Sequence, residues 1–141
     1  MDVRELIKEV RRDNRIVRHK EEEIERLKSR CHVAGVSFEG ERVSGSHNNS
    51  RVEDAILNYI AYKDKLKDYI AAAIVKRDQL QDMIDQLDSE QEISVMYKYC
   101  LGDLTLLQIA DVMDYSKPAV YKIYSKAVDK MQARVNESRQ K

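Results

Sequence analysis

The sequence predicts an all-α protein: a long antiparallel helical hairpin or coiled coil over residues 1–88, followed by a three-helix, helix-turn-helix unit over residues 89–141. Three observations predict it. Apolar residues recur at alternating steps of four and three from Val52 to Leu87, the spacing that places them on one helical stripe. Charged residues make up 35% of the chain against only four glycines and one proline, a composition that favours long helices. Residues 105–131, TLLQIADVMDYSKPAVYKIYSKAVDKM, carry the caps and small residues of two short helices that cross at a steep angle.

Residues 2–31 read as one helix. Val3, Leu6, Val10, Val17, Ile24, Leu27 and Cys31 follow a heptad seam that Asp13 and Lys20 interrupt, and polar seam residues of this kind fix register at some loss of stability. The stretch at 11–20, RRDNRIVRHK, is basic, and it reads as a solvated face beside the acidic EEEIE that follows. From His32 to Ser50 the periodicity breaks. That span holds three of the four glycines together with clustered Ser and Asn, so the 32–50 segment is expected to be a loop with at most a short hairpin.

The next helix is expected from about Val52 to Asp88. Its stripe is Val52, Ile56, Tyr59, Lys63, Leu66, Ile70, Ala73, Arg77, Leu80, Ile84 and Leu87. A helix this long is not stable alone, so its stripe needs cover from the N-terminal helix folded back, from a second copy of the chain, or from both. SEQE at 89–92 has the form of a capping box and starts a helix that Gly102 would stop near Leu101, with Ile93, Met96, Tyr97 and Cys100 inward.

In the final unit Thr105 is the expected N-cap of a helix over 106–113, with Ile109, Ala110 and Met113 facing inward. Asp114 stands at the sharp turn, where a left-handed conformation is commonly required and Asp tolerates it better than most residues. Tyr115 covers the small core. Ser116 is the N-cap of a second helix, Pro118 falls in its first turn, and Val120, Ile123, Ala127 and Met131 form its inward set. After Met131 the tail loses periodicity and is expected to fray.

The outward residues of that second helix are Lys117, Pro118, Ala119, Tyr121, Lys122, Ser125 and Lys126. Lys122, Lys126, Lys130 and Arg134 lie four apart and form one positive stripe on a chain of net charge zero. A recognition helix presents its N-terminal residues to base edges and uses later cations on phosphates. Lys117, Tyr121 and Lys122 are therefore the expected base or near-base contacts, and Ser125, Lys126, Lys130 and the Thr105 cap the phosphate contacts. Unrelated trihelical units use the same geometry to bind protein, which is the plain alternative.

The segment resembles region 4 of sigma-70 type factors, with Asp114, Tyr115, Ser116, Val120, Ile123, Lys126, Ala127 and Val128 matching position by position. It is more closely similar to small phage late-transcription regulators of the RinA and ArpU type. The features shared with these are the aromatic-rich SVMYKY at 94–99, the Ile109–Ala110 pair, the DYS turn and a VYKI-like helix after a long charged helical region. Pro118, Ala119 and Tyr121 stand where sigma factors usually carry charges. The resemblance implies a double-stranded DNA-binding regulator, acting as a homodimer or higher homo-oligomer through its helical region, with RNA polymerase as a further partner. A phage DNA-packaging subunit of the small-terminase kind, or a polymerase-binding adaptor, would draw on the same features.

Other classes find little in the sequence. The N-terminus is charged from its second residue and the longest apolar run, Tyr69 to Val75, is too short to span a bilayer, so a cytoplasmic protein without a membrane partner is expected. Cys31 and Cys100 lack CxxC or metal-ligand spacing, and no GxGxxG, P-loop or HExxH motif is present. No catalytic residue, metal or cofactor is assigned.

Overall fold

Straight-chain and apolar residues at helical spacing, with glycines kept out of the periodic segments, produce five α-helices: α1 (Val3–Val33), α2 (Ser46–Asp85), α3 (Glu90–Met96), α4 (Leu106–Met113) and α5 (Lys117–Arg139), with a π-helical turn at Tyr97–Leu101 after α3. The computed structural model describes residues 1–33 and 46–140, with side chains for 1–31 and 50–140. Among the described residues there is no strand. The expected 32–50 loop is shortened at both ends, because α1 runs on through Val33 and α2 already starts at Ser46. Ser and Asn suit a helix start as well as a loop, which is why SHNNS misleads. The hairpin considered there falls on 34–45, outside the described residues.

The chain divides into two compact units, Met1–Arg15 with Ala72–Lys141, and Ile16–Ala71. In the first, the N-terminal part of α1 lies antiparallel to the end of α2: Gln79 Nε2 reaches Met1 Sδ at 3.7 Å, while Lys76 Nζ pairs with Glu9 at 3.4 Å and Asp13 at 4.0 Å. Val3, Leu6, Ile7 and Val10 join Leu80, Ile84 and Leu87, then Met96, Cys100, Ala127, Val128 and Met131, in one buried cluster. Each large side chain buried there contributes about 1.5–3 kcal/mol. The C-terminal helices thus share their core with residues 1–15 and 72–88.

In the second unit Lys20 Nζ lies 5.6 Å from the Tyr62 ring centre and 5.4 Å from that of Tyr69, again an antiparallel pairing of α1 with α2. A seam lysine is accommodated because its stem packs on apolar surface while its charge meets two aromatic faces. Cys31 and Leu66 are buried here. Within each unit the hairpin therefore closes inside one chain.

Two helix ends depart from expectation. Met131 does not begin a frayed tail, since α5 continues to Arg139. The Gln132 carboxamide accepts from the Val3 amide at 2.8 Å and donates to the Met1 carbonyl at 3.0 Å, and Val135 packs on the core. Polar residues here hold the tail by hydrogen bonds that a hydrophobic pattern does not register. The helix after SEQE becomes π-helical at Tyr97 instead of running regularly to Leu101. The Gly102 amide closes that turn on the Tyr97 carbonyl at 2.9 Å, and a Cβ on Gly102 would lie 2.9 Å from the Lys98 carbonyl oxygen, so glycine is needed for close approach. The left-handed residue is the following Asp103, at φ 58°.

Candidate nucleic-acid interface

Local sequence builds the α4–α5 pair as the caps require. Thr105 Oγ1 accepts from the Gln108 amide at 3.1 Å and the Gln108 side chain accepts from the Thr105 amide at 3.0 Å, a complete capping box. Asp114 takes the left-handed conformation, φ 57° and ψ 42°, and the Tyr115 amide then donates to the Ala110 carbonyl at 2.9 Å. Ser116 Oγ accepts from the Ala119 amide at 3.3 Å and starts α5, with Pro118 in the first turn.

The core beneath is small. Val95, Ile109, Ala110 and Val120 are buried together, and Leu104, Leu106, Met113, Tyr115 and Ile123 pack around them. Ala110, 3% exposed, leaves room for the two helices to approach. Tyr115 also accepts from Gln91 Nε2 at 3.1 Å, tying the turn to α3.

With Val120, Ala127, Val128 and Met131 buried, the opposite face of α5 is fixed in solvent. Thr105, Ser116, Lys117, Pro118, Tyr121, Lys122, Ser125 and Lys126 are all exposed, whereas Ala119 is half-buried. Lys117, Lys122 and Lys126 make no ion pair among the described residues. Asp129 is exposed one turn beyond Ser125, so the uninterrupted positive surface ends at Lys126.

The C-terminal half of the predicted stripe is paired with carboxylates. Lys130 Nζ donates to Glu92 Oε1 at 2.8 Å, and the Glu92 side chain is only 7% exposed. Arg134 pairs with Asp88 at 3.5 Å and donates to the Gln86 carbonyl. Both cations lock α5 to the α2–α3 junction. The same pair alters the expected capping box at 89–92: Ser89 Oγ accepts from the Glu92 amide at 3.4 Å, but the Glu92 carboxylate is turned to Lys130 instead of back to the cap.

Beside α5 lie Arg11, Arg12 and Arg15 of the basic 11–20 stretch, together with Arg4 and Lys8. A groove of about 470 Å³ is lined by Arg4, Lys8, Arg11, Arg12 and Arg15 of α1 and by Tyr99 and Tyr124, with Asp2 and Glu5 also in its lining. Tyr124 is one turn from Tyr121 on α5. Arg11 is committed to structure: its guanidinium lies 3.9 Å from the Tyr99 ring centre and donates to the carbonyls of Tyr99 and of Leu104. Arg4 reaches the Tyr124 ring at 6.0 Å, while Arg12 and Arg15 make no ion pair among the described residues. The three- and four-residue spacing of Arg4, Lys8, Arg11 and Arg15 was a legible signal. Its placement next to α5 was not.

Burial and neighbouring anions set the titration of the groups behind this surface. Burial pushes the Cys100 thiol up to about 12, and burial with nearby Tyr99 raises Tyr124. Tyr97 is raised by its hydrogen bond to Asp85. A thiol held protonated is a poor nucleophile, so Cys100 serves packing. Among the described residues no group of three or more His, Cys, Asp or Glu could hold a metal ion, and no helix is long and apolar enough to cross a membrane.

Residues 32–132 match a family model described as a protein of unknown function (DUF1492). No curated protein and no solved structure matches the chain.

Proposed function

We propose that this chain, which belongs to the DUF1492 family over residues 32–132, is a sequence-specific, double-stranded-DNA-binding transcription regulator that reads the major groove with the N-terminal half of α5. One observation carries the reading: Lys117, Tyr121, Lys122, Ser125 and Lys126 share the exposed face of a capped helix whose other face is buried. Lys117, Tyr121 and Lys122 meet base edges, and Ser125 and Lys126 meet phosphates. Ser116 and Thr105 sit at helix starts, where amide hydrogens attract phosphate. Arg12 and Arg15 add phosphate contacts on the α1 flank, and Lys130 is withdrawn from the DNA-contacting set. The resemblance to phage late-transcription regulators and to sigma-70 region 4 supports the same class. Titration of labelled duplex at several salt concentrations tests it. Log affinity should fall linearly with log salt, with a slope of about −0.9 per phosphate contact, and Tyr121→Ala should change the preferred site. Salt-independent or unsaturable binding would refute the reading.

A second reading rests on α4. Leu107 and Val112 are 46% and 63% exposed on a helix of eight residues, large apolar groups with no role in phosphate binding. They suit a contact with RNA polymerase, as in an adaptor. Retention of the protein by polymerase without DNA, lost in Leu107→Asp/Val112→Asp, tests that contact.

A further inference from the structure

The hairpin uses one face of α2. Leu66 and Leu80 are buried, while Tyr62 and Tyr69 meet Lys20. A second face of the same helix carries another apolar stripe: Leu57, Ile60, Ile74 and Val75 are 63%, 49%, 46% and 68% exposed, half of the exposed large hydrophobics among the described residues. The buried seam and this stripe are offset by one residue, about 100° round the helix, so α2 is apolar on two neighbouring faces and expects a partner on each.

The stripe has an internal order. Leu57, Ile60, Asp64, Lys67, Ala71 and Ile74 are spaced three, four, three, four, three, the a and d positions of successive heptads, and all six are exposed. Folded about the midpoint between Lys65 and Leu66, the series pairs Leu57 with Ile74, Ile60 with Ala71 and Asp64 with Lys67. A two-fold interface brings residue i of one copy to residue j of the other, and j to i. An antiparallel pair of identical helices therefore forms two layers of apolar contacts on each side of two central Asp–Lys pairs. A parallel pair would instead oppose Asp64 to Asp64 and Lys67 to Lys67, which is repulsive.

We infer that the exposed a/d stripe of α2 is a homodimer interface, binding the same helix of a second copy in antiparallel orientation. The occupant is argued from this charge complementarity, and the inference does not rest on the DNA-binding reading.

Charge exchange on the intact protein tests it, with mass measured by sedimentation. Wild type should be a dimer, and Asp64→Lys or Lys67→Asp alone should each weaken dimerisation on the order of tenfold. The double variant D64K/K67D should restore it, because in the antiparallel pair each new lysine faces a new aspartate. As a second measurement, L57C/I74C should form a disulfide between copies, whereas Leu57→Cys alone should not. Positions 57 and 74 are about 26 Å apart along one helix, too far for a bond within a chain. A monomeric wild type, single exchanges without effect, failure of the double exchange to restore the dimer, or cross-linking by Leu57→Cys alone would overturn the inference.

Discussion

Replacing Lys130 separates two roles that one lysine on α5 could play. In the structure it neutralises Glu92, whose side chain is 7% exposed and whose Oε2 is buried without a hydrogen-bond partner among the described residues, while Lys130 itself is 46% exposed. Removing one member of a fully buried pair costs about 3–5 kcal/mol, since the charge left behind is not hydrated. Lys130 is half in water, and that share of its attraction is already screened. We therefore expect Lys130→Ala to cost about 2 kcal/mol, which at about 3 °C per kcal/mol for a chain of this size lowers Tm by about 6 °C. Glu92→Gln in the same background removes the stranded charge and should recover part of the loss. The salt slope of duplex binding should be unchanged in Lys130→Ala, whereas Lys126→Ala should leave Tm alone and reduce the slope by about one unit. Thermal unfolding and salt-titrated fluorescence anisotropy on the two variants give both quantities. An unchanged Tm with a reduced slope in Lys130→Ala would instead return Lys130 to the phosphates.

Other consequences follow from the turn and the core. Ser116→Ala removes the α5 cap and should cost about 1 kcal/mol by thermal unfolding, with weaker duplex binding because the N-terminal turn of α5 loosens. Asp114 is left-handed at φ 57°, so Asp114→Gly should be tolerated or slightly stabilising, while the β-branched Asp114→Val should lose more than about 1 kcal/mol in the same assay. The raised Cys100 thiol gives a signed pH dependence. Above its ordinary value of 9.0 the unfolded chain loses the proton that the folded chain keeps up to about 12, so stability present below pH 9 is lost across that window at about 1.4 kcal/mol per pH unit. Tyr97 and Tyr124, also raised, steepen the loss above pH 10. Denaturant unfolding of Cys100→Ala from pH 8 to 11 should show a shallower slope than wild type, whatever its starting stability.

Local rules made the α4–α5 pair legible. Thr105, Asp114 and Ser116 each act through neighbours within five residues, so their roles follow from residue type and spacing alone. The hairpin seam was legible from its period, except that Lys63 and Arg77 at seam positions are exposed. What escaped depends on contacts distant in sequence. Gln132 holds the end of α5 to residues 1 and 3, Glu92 captures Lys130 from another helix, and Arg4, Arg12 and Arg15 reach the α5 flank only because α1 packs there. A four-residue repeat of cations shows that Lys122, Lys126, Lys130 and Arg134 share a face. It does not show that half of that face is turned to carboxylates on the α2–α3 junction. The second stripe of α2 was hidden differently. One periodic seam explains the helix, and a second becomes visible only when the first is seen to be covered.

The central claim, recognition of a DNA site by α5, is tested most directly by incubating the intact protein with fragments of its source genome at about 0.1 M salt, recovering the bound fraction and sequencing it, beside a K117A/Y121A/K122A variant. Enrichment of one or a few sites upstream of promoters, sharing a common motif, is expected, with loss of that enrichment in the variant. Equal recovery of all fragments, or the same enriched sites with the variant, would contradict it.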